Sequence, residues 1–152
     1  MSLAKIITQA IELENLIGEI YRLASSLSPD EFLARELARL ADEELQHVNQ
    51  LRTGRNYLAR APEAFGQPAI DEEEMLQGIK STQELLARIE GRKLLLPQIL
   101  AELKNLESQF EKIHLNTLME IQDESLKKLF QVLAGEDQKH VKRLAKLLDL
   151  LK

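Results

Sequence analysis

One register, used twice, limits what this chain can fold into. Glu14 recurs as Glu107, Glu44 as Asp137 and His47 as His140, each pair 93 positions apart. The same offset pairs Leu13 with Leu106, Ile20 with Ile113, Asp30 with Asp123 and Glu31 with Glu124. It also pairs Leu33 with Leu126, Leu40 with Leu133, Ala41 with Ala134, Glu43 with Glu136, Val48 with Val141 and Leu51 with Leu144. A gap-free match over so many positions implies two copies of one helix pair, related by a pseudo-twofold axis. Such an axis gathers Glu14, Glu44, His47, Glu107, Asp137 and His140 around one centre.

The period within each copy is helical. Ile6, Ile7, Ala10, Leu13, Glu14, Ile17, Tyr21 and Ala24 recur at three-to-four spacing and predict a first helix over residues 3–26. Ser28 forms a capping box with Glu31, and Pro29 suits the first helical position, so a second helix is expected from Pro29 to about Leu58. Its stripe is Leu33, Leu37, Leu40, Glu44, His47, Val48 and Leu51. A third long helix is expected from Leu94 or Pro97 to Ile121, and a fourth, capped by Asp123, from Glu124 to Leu150. Between the pairs, Pro62, Gly66 and Pro68 break the chain. Asp71 with Glu74 reads as the start of a short helix, which Gly78 and Ser81 interrupt before another piece over 82–90. The expectation is an all-α four-helix bundle forming one domain over residues 1–152, with hairpins at 3–58 and 94–151 and a long crossover at 59–93. The acidic run Asp71-Glu72-Glu73-Glu74 reads as a solvated helix start, with a metal-entry or partner patch as the alternative.

Composition removes several classes of chemistry. The absence of cysteine excludes disulfides, zinc knuckles, thiolate-bound iron and a catalytic thiol, and it agrees with a reducing cytoplasm. A net charge of −5 without a long basic run speaks against nucleic acid as a partner. No apolar run is long enough for a transmembrane helix, and the start of the chain lacks the pattern of a signal peptide.

The acids on the apolar stripes demand an explanation, because a buried carboxylate is costly unless paired or bound to a cation. In each copy an acid stands three residues before a histidine, and residues three apart share a helix face. Glu14 and Glu44 are about equally far from the turn that joins their helices, so in an antiparallel pair they should face each other; Glu107 and Asp137 repeat the arrangement. Four carboxylates would neutralise two divalent ions. Oxygen ligands with two imidazoles suit iron or manganese better than zinc, which favours fewer carboxylates and a tetrahedral shell. His114 occupies the place where the repeat sets a counterpart of Tyr21. His114 is expected to hydrogen-bond a ligand carboxylate, with a core role or ligation as alternatives. Tyr21 is a second candidate for such a bond, with a plain core role as the alternative.

With these motifs the chain resembles, over essentially its whole length, the rubrerythrin branch of the ferritin-like superfamily. The matching elements are Glu14 followed seven residues later by Tyr21, Glu44-x-x-His47, Glu107, and Asp137-x-x-His140. The resemblance implies a dinuclear iron centre, with manganese as the alternative metal and neither haem nor nucleotide. It implies Glu14 and Glu107 as terminal ligands, Glu44 and Asp137 as bridges, and His47 and His140 as one nitrogen ligand per ion. Tyr21 and His114 are the candidates for supporting catalytic roles, relaying protons or holding ligands in place. The implied function is an oxidoreductase acting on peroxide or dioxygen, in oxidative-stress defence, within the cytoplasm and in homodimeric form. The other readings are an iron-binding or buffering protein without turnover, and a structural bundle with a vestigial site.

The chain departs from the family in four ways. It lacks the cysteines of a rubredoxin-like domain, which implies a separate electron-donor protein. Phe110 stands where the family has an extra third-helix glutamate, leaving a six-ligand set. Asp137 is one methylene shorter than the usual Glu, and Glu136, four residues before His140, is the alternative ligand. His114 replaces a second tyrosine.

Overall fold

The computed structural model describes residues 3–60 and 72–151. Five helices follow in order: α1 (Leu3–Leu27), α2 (Glu31–Arg60), α3 (Glu72–Glu90), α4 (Leu96–Glu120) and α5 (Glu124–Leu150). Among the described residues there is no strand, and the protein is an all-helical bundle. No described helix is long and apolar enough to cross a membrane.

The packing follows the stripes. On α1, Ile6, Ile7, Ala10, Leu13, Ile17, Tyr21 and Ala24 turn inward, while Lys5, Thr8, Glu12, Asn15, Glu19 and Arg22 face out. α1 packs most extensively on α2, and α4 on α5. The two pairs then meet through α2 on α5 and α1 on α4, and α3 lies against α1 and α4. The fully enclosed Phe130, Leu37, Leu40, Leu51, Leu100 and Leu103 fill the middle. Each such side chain, removed from water, stabilises the fold by roughly 1.5–3 kcal/mol. Gly18 lets α1 approach α2 beside Glu44: a Cβ there would stand 3.4 Å from Glu44 Cβ.

The start of α2 differs from the expectation. Asp30, not Ser28, is the cap: its Oδ1 accepts from the amides of Phe32 at 2.8 Å and Leu33 at 3.4 Å. The helix therefore begins at Glu31 rather than at Pro29. Ser28 closes the turn instead, its Oγ donating to the Asp30 carbonyl at 3.0 Å. At the matching place in the second pair, Asp123 caps α5 by accepting from the Leu126 amide at 3.0 Å. Both caps suit the positive end of the helix dipole.

The crossover differs more. The Asp71–Glu74 box involves Asp71, which lies outside the described residues, as do Pro62, Gly66 and Pro68. From Glu72 onward the chain forms one unbroken helix of 19 residues through Gly78 and Ser81, instead of two short pieces. Met75, Ile79, Thr82, Leu85 and Ile89 give α3 a buried stripe of its own. Gly78 belongs to that stripe because a Cβ would stand 3.4 Å from Phe110 Cε1. Burial against α1 and α4 outweighs the weak helix propensity of one glycine. α3 ends at Gly91 and Arg92, where the Lys93 amide donates to the Arg88 carbonyl at 3.1 Å. Arg92, with φ of 55°, takes the left-handed position that such endings usually give to glycine.

Candidate metal centre

The four helices of the two pairs each bring two chemically active side chains to the interior. α1 carries Glu14 and Tyr21, α2 Glu44 and His47, α4 Glu107 and His114, and α5 Asp137 and His140. None of the eight is more than 3% exposed. Glu136, the alternative on α5, is half-buried and pairs with Lys139 at 3.2 Å, while Asp137 points fully inward.

Three overlapping trios of these groups offer ligand atoms within 4.8 Å of one another: Glu14–Glu44–His47, Glu44–Glu107–His140 and Glu14–His114–Asp137. A fourth, His47–Glu136–His140, lies on the histidine side. Ligand atoms held about 2 Å from one ion lie at most about 4 Å apart, so side chains of each trio would close in slightly to hold one. Glu44 belongs to a trio from each hairpin. Where the repeat sets Asp137 with Glu107 and His140, the trio on His140 instead contains Glu44, and Asp137 falls with Glu14 and His114.

Hydrogen bonds cross between the helix pairs. The Tyr21 hydroxyl donates to Glu107 Oε1 at 2.8 Å. His114 Nε2 lies 3.8 Å from Glu14 Oε1, and its Nδ1 lies 2.6 Å from Asp137 Oδ2. Each residue seven places after a stripe glutamate thus reaches toward the glutamate of the other pair. His47 Nδ1 stands 3.4 Å from Glu14 Oε2 and 3.3 Å from Glu44 Oε2. His140 Nδ1 stands 3.2 Å from Glu107 Oε1 and 2.9 Å from Glu44 Oε1, the latter without hydrogen-bond geometry. The two imidazoles stack with their centroids 5.3 Å apart.

The donor set fits a metal because several of its buried atoms lack protein partners. Both oxygens of Glu44, Glu107 Oε2, Asp137 Oδ1 and His140 Nε2 have no hydrogen-bond partner. An orphaned buried polar atom costs about 1–3 kcal/mol, more when charged. As a carboxylate, Glu44 finds no donor for either oxygen. Only a proton on Glu44, shared with Glu14 or Glu107, or a cation between them relieves this.

Charge in the metal-free site follows from burial and neighbours. Burial, then the nearby charges of Glu107 and Glu14, pushes the Glu44 carboxyl well above its ordinary value. Burial would raise Glu14 too, but the neighbouring Glu44 carboxyl, the contact to His47 and the nearby histidines outweigh it and hold that carboxyl at about 2. Burial opposes a charged imidazole, yet Glu107 and Glu43 raise His140 to about 10. Against the same opposition, Glu14 raises His47, and Asp137 raises His114. The Asp137 carboxyl itself is pushed up, because burial outweighs the attraction of His114. Burial and the surrounding carboxylates also push the Tyr21 hydroxyl up, so it keeps its proton near neutral pH and remains a donor.

One supporting group was not singled out from the sequence. Glu43 Oε1 lies 3.5 Å from His140 Nε2, and Glu43 Oε2 accepts from Arg143 at 2.5 Å. The contact to His140, then Arg143, holds the Glu43 carboxyl at about 2. The glutamate behind the ring turns Nδ1 toward the carboxylates, as partners of metal-ligating histidines do. Its signal was the repeat itself, which matches Glu43 to Glu136, each one residue before a stripe acid. Comparison with family models, with curated proteins and with solved structures returned no match.

Proposed function

We propose that the chain is a ferritin-like protein holding two iron or manganese ions, and that it carries out redox chemistry on peroxide or dioxygen. The observation that carries this reading is the cluster of unpartnered ligand atoms on Glu44, Glu107 and Asp137, enclosed among histidines in the bundle interior. No hydrogen bond uses those atoms, and the overlapping trios gather groups of the kind that hold a metal ion. Glu14, Glu44, His47, Glu107, Asp137 and His140 would hold the ions. When bound as ferrous ions, the pair supplies one electron each, enough with two protons to take hydrogen peroxide to two waters.

The chain's own residues then have separate tasks. Glu44, grouped with Glu14 and His47 and also with Glu107 and His140, would serve both positions. Tyr21 holds Glu107 in place through its hydroxyl and remains protonated. His114 and Asp137 form a contact that keeps a proton inside the site. The bundle encloses all of them, which strengthens their mutual attraction and limits water. No internal electron relay is visible among these side chains, so reducing equivalents would come from a separate protein or small donor.

Metal analysis after anaerobic reconstitution, followed by stopped-flow mixing with peroxide, tests the reading. The expected result is about two ions per chain, with rapid reoxidation of the ferrous form. Two ions with slow reoxidation would favour iron binding without turnover. A chain that stays metal-free after reconstitution would leave only a structural bundle.

A further inference from the structure

Three of the four acids, Glu44, Glu107 and Asp137, leave oxygens free, and in unequal number. Glu44 has two, since neither of its oxygens has a hydrogen-bond partner. Glu107 has one, because Oε1 is taken by Tyr21 and His140 while Oε2 is unpartnered. Asp137 also has one: Oδ2 lies 2.6 Å from His114 Nδ1, and Oδ1 is unpartnered. A carboxylate that bridges two ions normally gives one oxygen to each. Glu44 is equipped for that, and Asp137, half engaged, is equipped to serve one ion.

Position reinforces the count. Glu44 lies in trios with ligands of both helix pairs, whereas Asp137 lies with Glu14 and His114 alone. Tyr21, the repeat counterpart of His114, cannot produce the same effect, since its hydroxyl donates across to Glu107. The asymmetry therefore originates at His114.

We propose that His114 is a positioning residue that withdraws Asp137 from a bridging role, so the centre has one bridge, Glu44, and two unequal metal positions. This rests on the metal-binding reading above. The richer position has Glu14, Glu44 and His47 with Asp137 beside it. The poorer has Glu44, Glu107 and His140. The ions load one after the other.

Native mass spectrometry during titration with manganous ion tests this without measuring turnover. Wild type should pass through a dominant one-ion species at one equivalent, with the second ion bound at least tenfold more weakly. His114→Tyr, which restores the residue of the other half, should release Asp137 and shrink the one-ion species. His114→Phe should do the same, which covers the case in which the tyrosine variant fails to fold. His114→Asn, which keeps a donor near the Nδ1 place, should load as wild type does. Equal loading in wild type, or identical one-ion populations in wild type and the folded Tyr or Phe variant, overturns the unequal positions while leaving a two-ion centre intact. Absence of any bound ion in every form overturns the metal-binding reading and this proposal together.

Discussion

At the scale of the residue, the caps and helix ends carry the clearest tests. Asp30→Ala should cost about 1 kcal/mol in urea unfolding, the usual loss of an N-cap, and Ser28→Ala only a few tenths. A larger loss at Ser28 would contradict the assignment of Asp30 as the cap. Arg92 holds a left-handed conformation without being glycine. Arg92→Gly should therefore stabilise by about 0.5–1 kcal/mol, read as a higher urea midpoint at unchanged slope. The capping residue was legible in principle. Ser28-x-x-Glu31 is a valid capping pattern, but the repeat sets Asp30 on Asp123, and one structure for both copies requires the aspartate. The six ligand-type residues were legible for the same reason: equal spacing leaves them no other face. The engagement of one Asp137 oxygen by His114 was not legible, since it depends on a side-chain rotamer and a 2.6 Å approach across two helices.

At the scale of the element, glycine has two different meanings in this chain. Gly78 sits where α3 presses on Phe110, and Gly135 sits in mid-α5 with nothing within 4 Å of an added Cβ. Gly135→Ala should stabilise by about 0.5–1 kcal/mol through helix propensity, whereas Gly78→Leu should overpack the α3 contact and cost about 1–3 kcal/mol. Thermal unfolding of both variants checks the pair; a harmless leucine at 78 would mean that α3 is loosely held. The continuity of α3 departs from the sequence expectation because Gly78 and Ser81 act as breakers only when no neighbour covers the helix. Here Met75, Ile79, Leu85 and Ile89 bury a full stripe against α1 and α4, and the Thr82 hydroxyl is satisfied by the Gly78 carbonyl at 2.7 Å. That information is tertiary, and local sequence does not hold it.

At the scale of the whole molecule, the metal-free site should make stability depend on pH in a definite direction. His140 is raised to about 10, so its contribution is fully present below its unfolded value of 6.5 and is lost as pH climbs toward 10. Glu44 is also raised, and a buried acid forced to ionise destabilises the fold as pH rises above its unfolded value of 4.5. Glu14 and Glu43, held at about 2, act at the other end: their contribution is present above 4.5 and lost as pH falls toward 2. The metal-free protein should thus melt at its highest temperature in mildly acid solution and lose stability between about pH 6.5 and 10. Bound ions need neutral imidazoles and ionised carboxylates, so the manganese-loaded form should gain on the metal-free form across the same range. Calorimetry of both forms at several pH values decides this; a metal-free Tm that rises with pH would be inconsistent with the buried charges described above.

The contact between His114 and Asp137 also bears on how the two halves differ. His114 stands where the first half has Tyr21, and Asp137 where it has Glu44. These are the two breaks in symmetry among the eight interior groups, and they touch each other. A glutamate at 137, one methylene longer, would meet the imidazole at a distance already filled. The two differences are therefore expected to be energetically coupled rather than independent. Asp137→Glu alone should be poorly accommodated, and His114→Tyr with Asp137→Glu should recover most of the lost stability, a coupling that a double-mutant cycle measures directly. If the two substitutions prove additive, the two positions are independent.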